Sequence, residues 1–552
     1  MDTIPSLIAA TCRAFDSRTA MLQKRDGRWR ETSYGELGER SVALAAALAG
    51  RGFSPGERAA LLAASSPEWV MAYLGVLQGG GVVVPVDREL REIELSHILS
   101  HSEARLLFVD LDRLPLAVSL AQELPALELI VVLPPEENRR YQVASRCTVL
   151  SLADLLSNPA GRIVPPAASD TALILYTSGT TGRSKGAMLS HANIVSNIRG
   201  AARHLEVDQS VHTLSFLPIN HVFEQVCGVL VPLSLGGKVS FCESLKKLGD
   251  NLAEVRPTFF VGVPAVYRMM LGRVMKGIEE RRLARLLWSL PFLRGLITGG
   301  IRKKLGDGTT FISGGAALDP AVAAGFGELG MTLLQGYGIT ETAPVIAAES
   351  PSCRRVGSVG RMLEGVEVRI ACPDLEGVGE IQVKGPNVMQ GYFRDPQASS
   401  EAIVDGWYRT GDLGRLEDGF LYICGRVKSL IVTPNGKNVY PEEVEIEILK
   451  SSLVAEAVVY ARKSGEVAEE ICAVVRPDQE ALEEYAASQG RGALADAQVE
   501  QLIRKEVAEA CQRLASYKRV KQVTICRQEF PKTTTRKIKR FEVEALMAAG
   551  SM

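Results

Sequence analysis

Between residues 177 and 186 the chain reads Thr-Ser-Gly-Thr-Thr-Gly-Arg-Ser-Lys-Gly. Thr177, Ser178, Thr180 and Thr181 offer hydroxyl donors, and Gly179, Gly182 and Gly186 let backbone N–H groups crowd towards one point. Lys185 adds a mobile positive charge. Such a set is suited to holding phosphate. A Gly/Ser/Thr cluster is more often only a turn, but a ten-residue stretch ending in Lys-Gly is far less generic. A Walker loop closes on Gly-Lys-Ser/Thr, whereas Lys185 follows Ser184 and precedes Gly186, so that reading is excluded.

Three further groups could do chemistry. Gln335-Gly336-Tyr337-Gly338-Ile339-Thr340-Glu341-Thr342 puts an aromatic ring, two close-approach glycines, a hydroxyl and a carboxylate at the end of an apolar run. In an open parallel sheet, that end of a strand is where ligands bind. Gly406-Trp407-Tyr408-Arg409-Thr410-Gly411-Asp412-Leu413 is followed by Arg426, fourteen residues after Asp412. A carboxylate can accept both hydroxyls of a ribose, and a guanidinium can lock the same sugar; the plainer role for Gly-Asp is a turn. Phe530-Pro531-Lys532-Thr533-Thr534-Thr535-Arg536-Lys537-Ile538-Lys539-Arg540 reads by itself as a basic surface loop.

The elements that must position these residues alternate in type. A helix ending near Arg51-Gly52, a strand over Arg58–Ala64, a helix through Trp69–Gln78 and a strand over Val82–Val86 predict α/β layering with a parallel sheet. After Pro165-Pro166-Ala167-Ala168, Leu173–Tyr176 is a strand, and Ser190 caps a helix, which would place the phosphate loop near a helix N-terminus. Strands at Leu214–Leu217, Phe259–Val263, Phe311–Ser313 and Thr332–Leu334 make a second α/β set. Short strands with Gly and Asp turns follow from 356 to 427, and Pro441-Glu442-Glu443 opens a helix in a separate C-terminal region.

At 552 residues the chain exceeds one hydrophobic core. With 63 basic and 64 acidic residues it has no excess of positive charge to suit nucleic acid. Ten scattered cysteines without a Cys-x-x-Cys pair, and a start lacking a basic and apolar leader, predict a reducing, cytoplasmic setting. The longest apolar run, Val70 to Val86, is broken by Gln78 and three glycines, so it reads as a buried helix feeding a strand. His97 and His101 share helical spacing but lack a third ligand in register, so a helix face is favoured over a metal site. From Arg268 to Lys304, ten Arg/Lys stand against Glu279 and Glu280, interleaved with leucines, Trp288 and Phe292. That composition fits either the surface of an anionic membrane or a solvated helix hairpin.

In their order from 176 to 540, the four motifs resemble those of the adenylate-forming superfamily, and within it the AMP-forming acyl-CoA synthetases, most like the bacterial long-chain fatty-acid CoA ligases. The phosphate motif has Ser184 for the usual Pro, and the C-terminal motif has Arg536 for the usual Gly. The resemblance implies a large N-terminal domain over 1–427, made of α/β lobes at about 1–165 and 166–355 and a β subdomain at 356–427. A mobile α+β domain over 428–552 would follow, hinged at Lys428.

The same resemblance implies ATP, Mg²⁺ and coenzyme A, with a carboxylic acid, expected to be a long-chain fatty acid, as substrate. Thr177, Ser178, Gly179, Thr180, Thr181, Gly182 and Lys185 would hold the departing phosphates. Gly315, Ala316, Gln335, Gly336, Tyr337 and Gly338 would line the nucleotide, with Tyr337 on adenine. Thr340 would hold the AMP phosphate, Glu341 would ligate the metal, and Asp412 and Arg426 would take the ribose. Lys537 would act in adenylation, and Gly436 and Lys437 would form part of the pantetheine channel. Leu217-Pro218-Ile219-Asn220-His221-Val222-Phe223-Glu224 is similar to a fatty-acid-branch motif in which His221 borders the acyl site. Segment 268–304, after Gly262-Val263-Pro264, corresponds to an insertion of the long-chain enzymes. The rivals are an adenylase loading a carrier protein and a non-catalytic acyl-nucleotide-binding homologue. The chain stops soon after Arg540 with no carrier domain in view, and the retained polar residues argue against the second rival. Ser184 in place of Pro predicts a phosphate loop that is poorly ordered without nucleotide.

Overall fold

The computed structural model describes residues 2–134, 146–177, 184–433, 437–464, 468–490, 492–533 and 538–548. The chain divides into two compact units, Met1–Val368 with Val383–Tyr408, and Arg369–Gln382 with Arg409–Met552.

The first unit holds two large sheets. In the eight-stranded sheet the order is Gly391–Tyr392, Lys185–Ser190, Thr171–Thr177, Val82–Pro85, Arg58–Leu62, Leu106–Val109, Leu129–Val132 and Thr148–Ser151. The strands from Thr171–Thr177 onwards are parallel. Continuous apolar runs such as Leu-Leu-Phe-Val at 106–109 suit this, because a parallel strand is covered on both faces. Alternate residues accordingly enter two separate cores: Ala59, Leu61, Leu106, Phe108 and Val131 one, Ala60, Leu62, Leu107, Val109 and Ile130 the other. The nine-stranded sheet runs Arg361–Met362, Val345–Ala348, Thr332–Gly338, Thr310–Ser313, Phe259–Gly262, His212–Ser215, Lys238–Phe241, Thr19–Arg25 and Arg28–Ser33. The sheets do not follow chain order, since the 171–190 hairpin completes the first and the 19–33 hairpin the second.

In the second unit, strand Trp407–Glu417 pairs antiparallel with Phe420–Arg426 through a turn in which Asp418 and Gly419 take φ of +50° and +80°. Such left-handed pairs match the twist of a hairpin. Helix Pro441–Ile448, opened by Pro441 with Glu442 and Glu443 in its first turn, packs with a three-stranded sheet of Val454–Ser464, Ala468–Pro477 and Gln522–Ile525. Helix Asp496–Gln512 adds Ile503 and Val507 to the same core. No helix among the described residues is long and apolar enough to cross a membrane.

One segment departs from regular geometry beside the first-unit core. Glu224–Leu230 winds as a π-helix, immediately before helix Val231–Leu235. Pro232 has no N–H to give to the Gly228 carbonyl, which accepts the Thr213 hydroxyl instead at 2.9 Å. A side chain at Gly228 would lie 2.6 Å from Glu224 Oε1, so the wide turn and the glycine together make room for that carboxyl. Glu224 is wholly buried, and neither of its oxygens makes a well-formed hydrogen bond among the described residues. Burial pushes its pKa up from 4.5 to about 8, with the Ser215 hydroxyl pulling weakly the other way. The native carboxyl is therefore protonated at neutral pH while the unfolded one is ionised. Stability contributed by this difference is present at low pH and is lost as pH rises from about 4.5 towards about 8. Glu224→Gln removes the titration, so the melting temperature of this variant minus that of the wild type should be more positive at pH 8 than at pH 5; a flat or opposite trend would contradict the assignment.

Candidate active site

The phosphate-type stretch lies between two strands. Thr171–Thr177 pairs antiparallel with Lys185–Ser190, Thr177 opposite Lys185 and Tyr176 opposite Gly186. This corrects the expected strand–loop–helix arrangement: helix His191–His204 begins only after the second strand, capped by Ser190 and Asn193 in a capping box. The reason is period-two burial, for Ala187 and Leu189 enter one core while Met188 packs on the other. Gly186 answers to packing, since a Cβ there would stand 2.7 Å from Ile174 Cγ2. Ser178, Gly179, Thr180, Thr181 and Gly182 lie outside the described residues, as does the expectation about the order of that loop. Below the hairpin the Tyr176 hydroxyl lies 2.7 Å from His101 Nδ1, and burial lowers the pKa of that imidazole.

The second motif occupies the end of Thr332–Gly338 and the single 3₁₀ turn Thr340–Thr342. Gln335 is held by Glu349, whose Oε2 accepts the Gln335 N–H at 2.9 Å and whose own N–H donates to Gln335 O at 2.8 Å. Gly338 is demanded by close approach, because its Cβ would fall 2.1 Å from the Pro344 oxygen. Gly336 is under no such demand, its nearest neighbour being 3.7 Å away. After the turn Ala343 takes φ +66°, a conformation L-residues avoid. Side chains from elsewhere hold it there: Asn387 donates to Thr342 O at 3.0 Å and Asn197 to Val345 O at 2.7 Å.

These two motifs meet on a residue that neither contains. Strand Gly391–Tyr392 pairs with Met188 and Ala187 at the edge of the hairpin. The Tyr392 hydroxyl donates to Glu341 Oε1 at 3.0 Å, and the Met389 N–H donates to Glu341 O at 2.8 Å. Lys185 Nζ stands 5.2 Å from the centroid of the Tyr392 ring and 4.0 Å from Asp395 Oδ2. The Tyr408 hydroxyl in turn bonds Tyr392, and burial with the nearby Glu341 charge raises both phenolic pKa values. The reading from sequence missed Tyr392, Asp395 and Tyr408. Tyr408 stands inside the Gly406–Leu413 motif, whereas nothing local marks Tyr392. The arrangement offers a carboxylate at the hydroxyl of one tyrosine and an ammonium over its ring, suited to a metal-bound polyphosphate.

Gly315, at φ +79°, and exposed Ala316 follow strand Thr310–Ser313. His221 is half-buried, its N–H donating to Pro218 O at 3.1 Å, and burial lowers its pKa against the pull of Asp87.

In the second unit Asp412 and Arg426 are direct cross-strand partners, Arg426 Nε 2.8 Å from Asp412 Oδ1. Asp412 is buried and Arg426 open to solvent. Lys428 sits in the turn Val427–Ser429. The Lys437 N–H donates to Thr433 Oγ1 at 3.0 Å, closing the loop that contains Gly436, itself outside the described residues.

The C-terminal basic run is not uniform. Lys532 pairs with buried Glu456, which also takes Arg476 Nε at 2.6 Å and the Phe530 N–H at 3.1 Å. Arg540 pairs with Glu445, whose carboxyl burial pushes up to about 7 against the pull of that arginine. Lys532 and Ile538 form a bridge, and Lys539 N–H donates to Pro531 O at 2.8 Å. These contacts fasten both ends of a loop whose Arg536 and Lys537 lie outside the described residues.

A family model described as AMP-binding enzyme matches residues 8–393. The long-chain-fatty-acid–CoA ligase FadD15 of Mycobacterium bovis is 30% identical over 488 residues, covering 83% of this chain and 79% of that protein. Human long-chain-fatty-acid–CoA ligase 1 is 30% identical over 514 residues, covering 85% and 72%. The crystal structure of ATP-bound MatB from Rhodopseudomonas palustris matches with a TM-score of 0.79 at 28% identity, covering 99% of this chain and 100% of that one. On these matches the chain belongs to the AMP-binding enzyme family, the adenylate-forming superfamily, in its AMP-forming acyl-CoA ligase branch.

Proposed function

We propose that this enzyme activates a long-chain fatty acid to its acyl-adenylate and passes the acyl group to coenzyme A. The observation that carries the chemistry is the convergence of Lys185 and Glu341 on Tyr392. The chain-length reading is supported by 30% identity to long-chain ligases over more than four fifths of the chain.

In the first half-reaction a substrate carboxylate oxygen attacks the α-phosphorus of ATP, and the bond to the β-phosphate breaks to release pyrophosphate. No protein nucleophile is needed, so catalysis rests on positioning and charge stabilisation. Lys185, with Thr177, Ser178, Gly179, Thr180, Thr181 and Gly182, grips the departing phosphates. Tyr337 packs on adenine, within a wall of Gly315, Ala316, Gln335, Gly336 and Gly338, and Thr340 holds the α-phosphate. The Asp412–Arg426 pair receives the ribose. Lys537 stabilises charge developing at the α-phosphate.

Glu341 suits Mg²⁺ as a hard oxygen donor whose carboxylate is held by the Tyr392 hydroxyl. A single carboxylate with substrate phosphates and water is the usual setting of that ion, which when bound neutralises phosphate charge. Tyr392 then acts by holding the carboxylate in place. In the second half-reaction the thiol of coenzyme A attacks the acyl carbonyl and AMP leaves. We assign Lys428 as the pivot between the two halves, Gly436 and Lys437 to the pantetheine path, and His221 to the edge of the acyl site.

With ATP and coenzyme A, a C16 or C18 acid should give a kcat/KM for AMP release at least about tenfold above aryl and short-chain acids. Preference for an aryl acid, or for a carrier protein over coenzyme A, would overturn the substrate reading. Lys537→Ala should lower acyl-adenylate formation at least about a hundredfold while supplied acyl-adenylate is still converted to the thioester; adenylation at the wild-type rate would refute the role given to this lysine. Tyr392→Phe removes a hydrogen bond to a charged acceptor and should slow pyrophosphate exchange about tenfold. It should also raise the Mg²⁺ concentration at half-maximal rate, and an unchanged Mg²⁺ requirement would count against its orienting role.

A further inference from the structure

His97 and His101 share one face of helix Glu92–Ser102, and among the described residues no third ligand joins them in a metal-type group. Their rings lie 5.7 Å apart, and Leu95, Ile98 and Leu99 seat the helix in one of the two cores of the eight-stranded sheet. A histidine so placed is commonly only a packed residue. His101 is set apart by what it touches.

Two strands of the candidate site meet at this one imidazole. Its Nδ1 lies 2.7 Å from the Tyr176 hydroxyl, with the rings edge to face at 5.7 Å, and the side chain of Ser102 reaches the same hydroxyl. Tyr176 directly precedes Thr177, from which the phosphate-type loop departs. The imidazole also meets the Phe393 ring edge to face, at 5.7 Å. Phe393 follows Tyr392, and its N–H donates to Gly186 O at 2.7 Å. Tyr176 and Phe393 close on each other across Gly186, where an added Cβ would stand 3.3 Å from Tyr176 Cζ and 3.5 Å from Phe393 Cβ.

Charge ties the end of the helix to the same strand. Glu103 Oε2 takes Arg58 Nη2 at 3.0 Å and Arg394 Nη2 at 2.7 Å, and the Arg394 guanidinium lies 5.3 Å from the Phe393 ring centroid. The next residue, Asp395, carries the carboxylate that stands 4.0 Å from Lys185 Nζ. Burial, with His97 and Arg394 nearby, lowers the pKa of His101 from its ordinary 6.5 against the pull of Asp395 and Glu103. The ring is therefore neutral at neutral pH, and its Nδ1 can accept a hydrogen bond from the Tyr176 hydroxyl. A glycine-rich loop has little bulk to set its own path, so it takes its direction from the last anchored residue before it.

We propose that His101 is a positioning residue for the polyphosphate of ATP. Through Tyr176 and Phe393 it holds the start of the phosphate loop and the strand bearing Tyr392 in one register, so that Lys185 and Glu341 address the same β- and γ-phosphates. The inference rests on the phosphate role given to this hairpin, and not on which acid is activated.

Equilibrium titration with MgATP and with AMP, in the absence of acid and coenzyme A, separates this role from a general part in folding, because AMP lacks the phosphates in question. His101→Leu and Tyr176→Phe, the second of which keeps the ring, should each weaken MgATP binding about fivefold and leave AMP affinity within about twofold of wild type. His101→Asn sets an amide where Nδ1 stands and should return MgATP affinity to within about twofold of wild type. The double variant His101→Leu/Tyr176→Phe should lose no more than either single one, since both remove the same bond. Lys185→Ala serves as the reference and should also bind MgATP more weakly. If it does while the His101 and Tyr176 variants bind MgATP like the wild type, this inference alone is overturned; unchanged affinity in Lys185→Ala would overturn the phosphate reading and the inference with it. Equal losses for MgATP and AMP, or losses that multiply to about twenty-fivefold in the double variant, would leave His101 a purely structural part and overturn the proposal.

Discussion

The antiparallel pairing of Thr171–Thr177 with Lys185–Ser190 is the interaction on which the site depends. A loop of glycines and small hydroxyl residues has little side-chain bulk to fix its own path, so its ends must be fixed for it. Here both ends are strands of one sheet, and the second strand receives Gly391–Tyr392 along its free edge. That short addition carries the hydroxyl which holds Glu341 and the ring over which Lys185 sits. Register does the rest, because in a strand a shift by one residue would turn Lys185 and Tyr392 to the opposite faces. The distance between the two motifs in sequence is thus closed by two residues of β-pairing.

Buried charge is treated in two ways in this chain, and the difference explains where the structure is stiff. Glu456 and Glu445 keep partners: Arg476 and Lys532 for one, Arg540 for the other. Removing one member of such a pair leaves the other stranded, at a cost of about 3–5 kcal/mol. The stretches that they join, the long hairpin of the second unit and the C-terminal segment on both sides of 534–537, are therefore held firmly. Glu224 has no cationic partner and is neutralised by taking up a proton. It sits in the one π-helical turn among the described residues, backed by Gly228.

Much of this was legible in the sequence, for physical reasons. The α/β class followed from apolar runs of strand length separated by helical periods, and the caps at Ser190 and Pro441 marked helix starts correctly. Asp412 and Arg426 were read as a pair, and they face each other across a hairpin. The strand at Lys185–Ser190 was not read, because the alternation Ala187, Met188, Leu189 is apolar at every position and its two-sided burial shows only once both cores exist. Tyr392 was missed because its meaning lies in a partner 51 residues away. Lys532 and Arg540 looked like members of a solvated basic run, and only the fold shows that their partners, buried Glu456 and partly buried Glu445, are 76 and 95 residues distant.

The two candidate lysines stand in different settings along the chain, one on a paired strand and the other in a stretch with anchored flanks. Lys185 projects from a paired strand between an aromatic face and the Asp395 carboxylate, which limits the directions its ammonium can take. A point charge fixed in that way is suited to a group that is held and then released, such as a departing pyrophosphate. Lys537 belongs to a short stretch whose two ends are fastened by the Lys532–Glu456 and Arg540–Glu445 pairs. Those two pairs tie the residues on either side of 534–537 to strand Val454–Ser464 and to helix Pro441–Ile448.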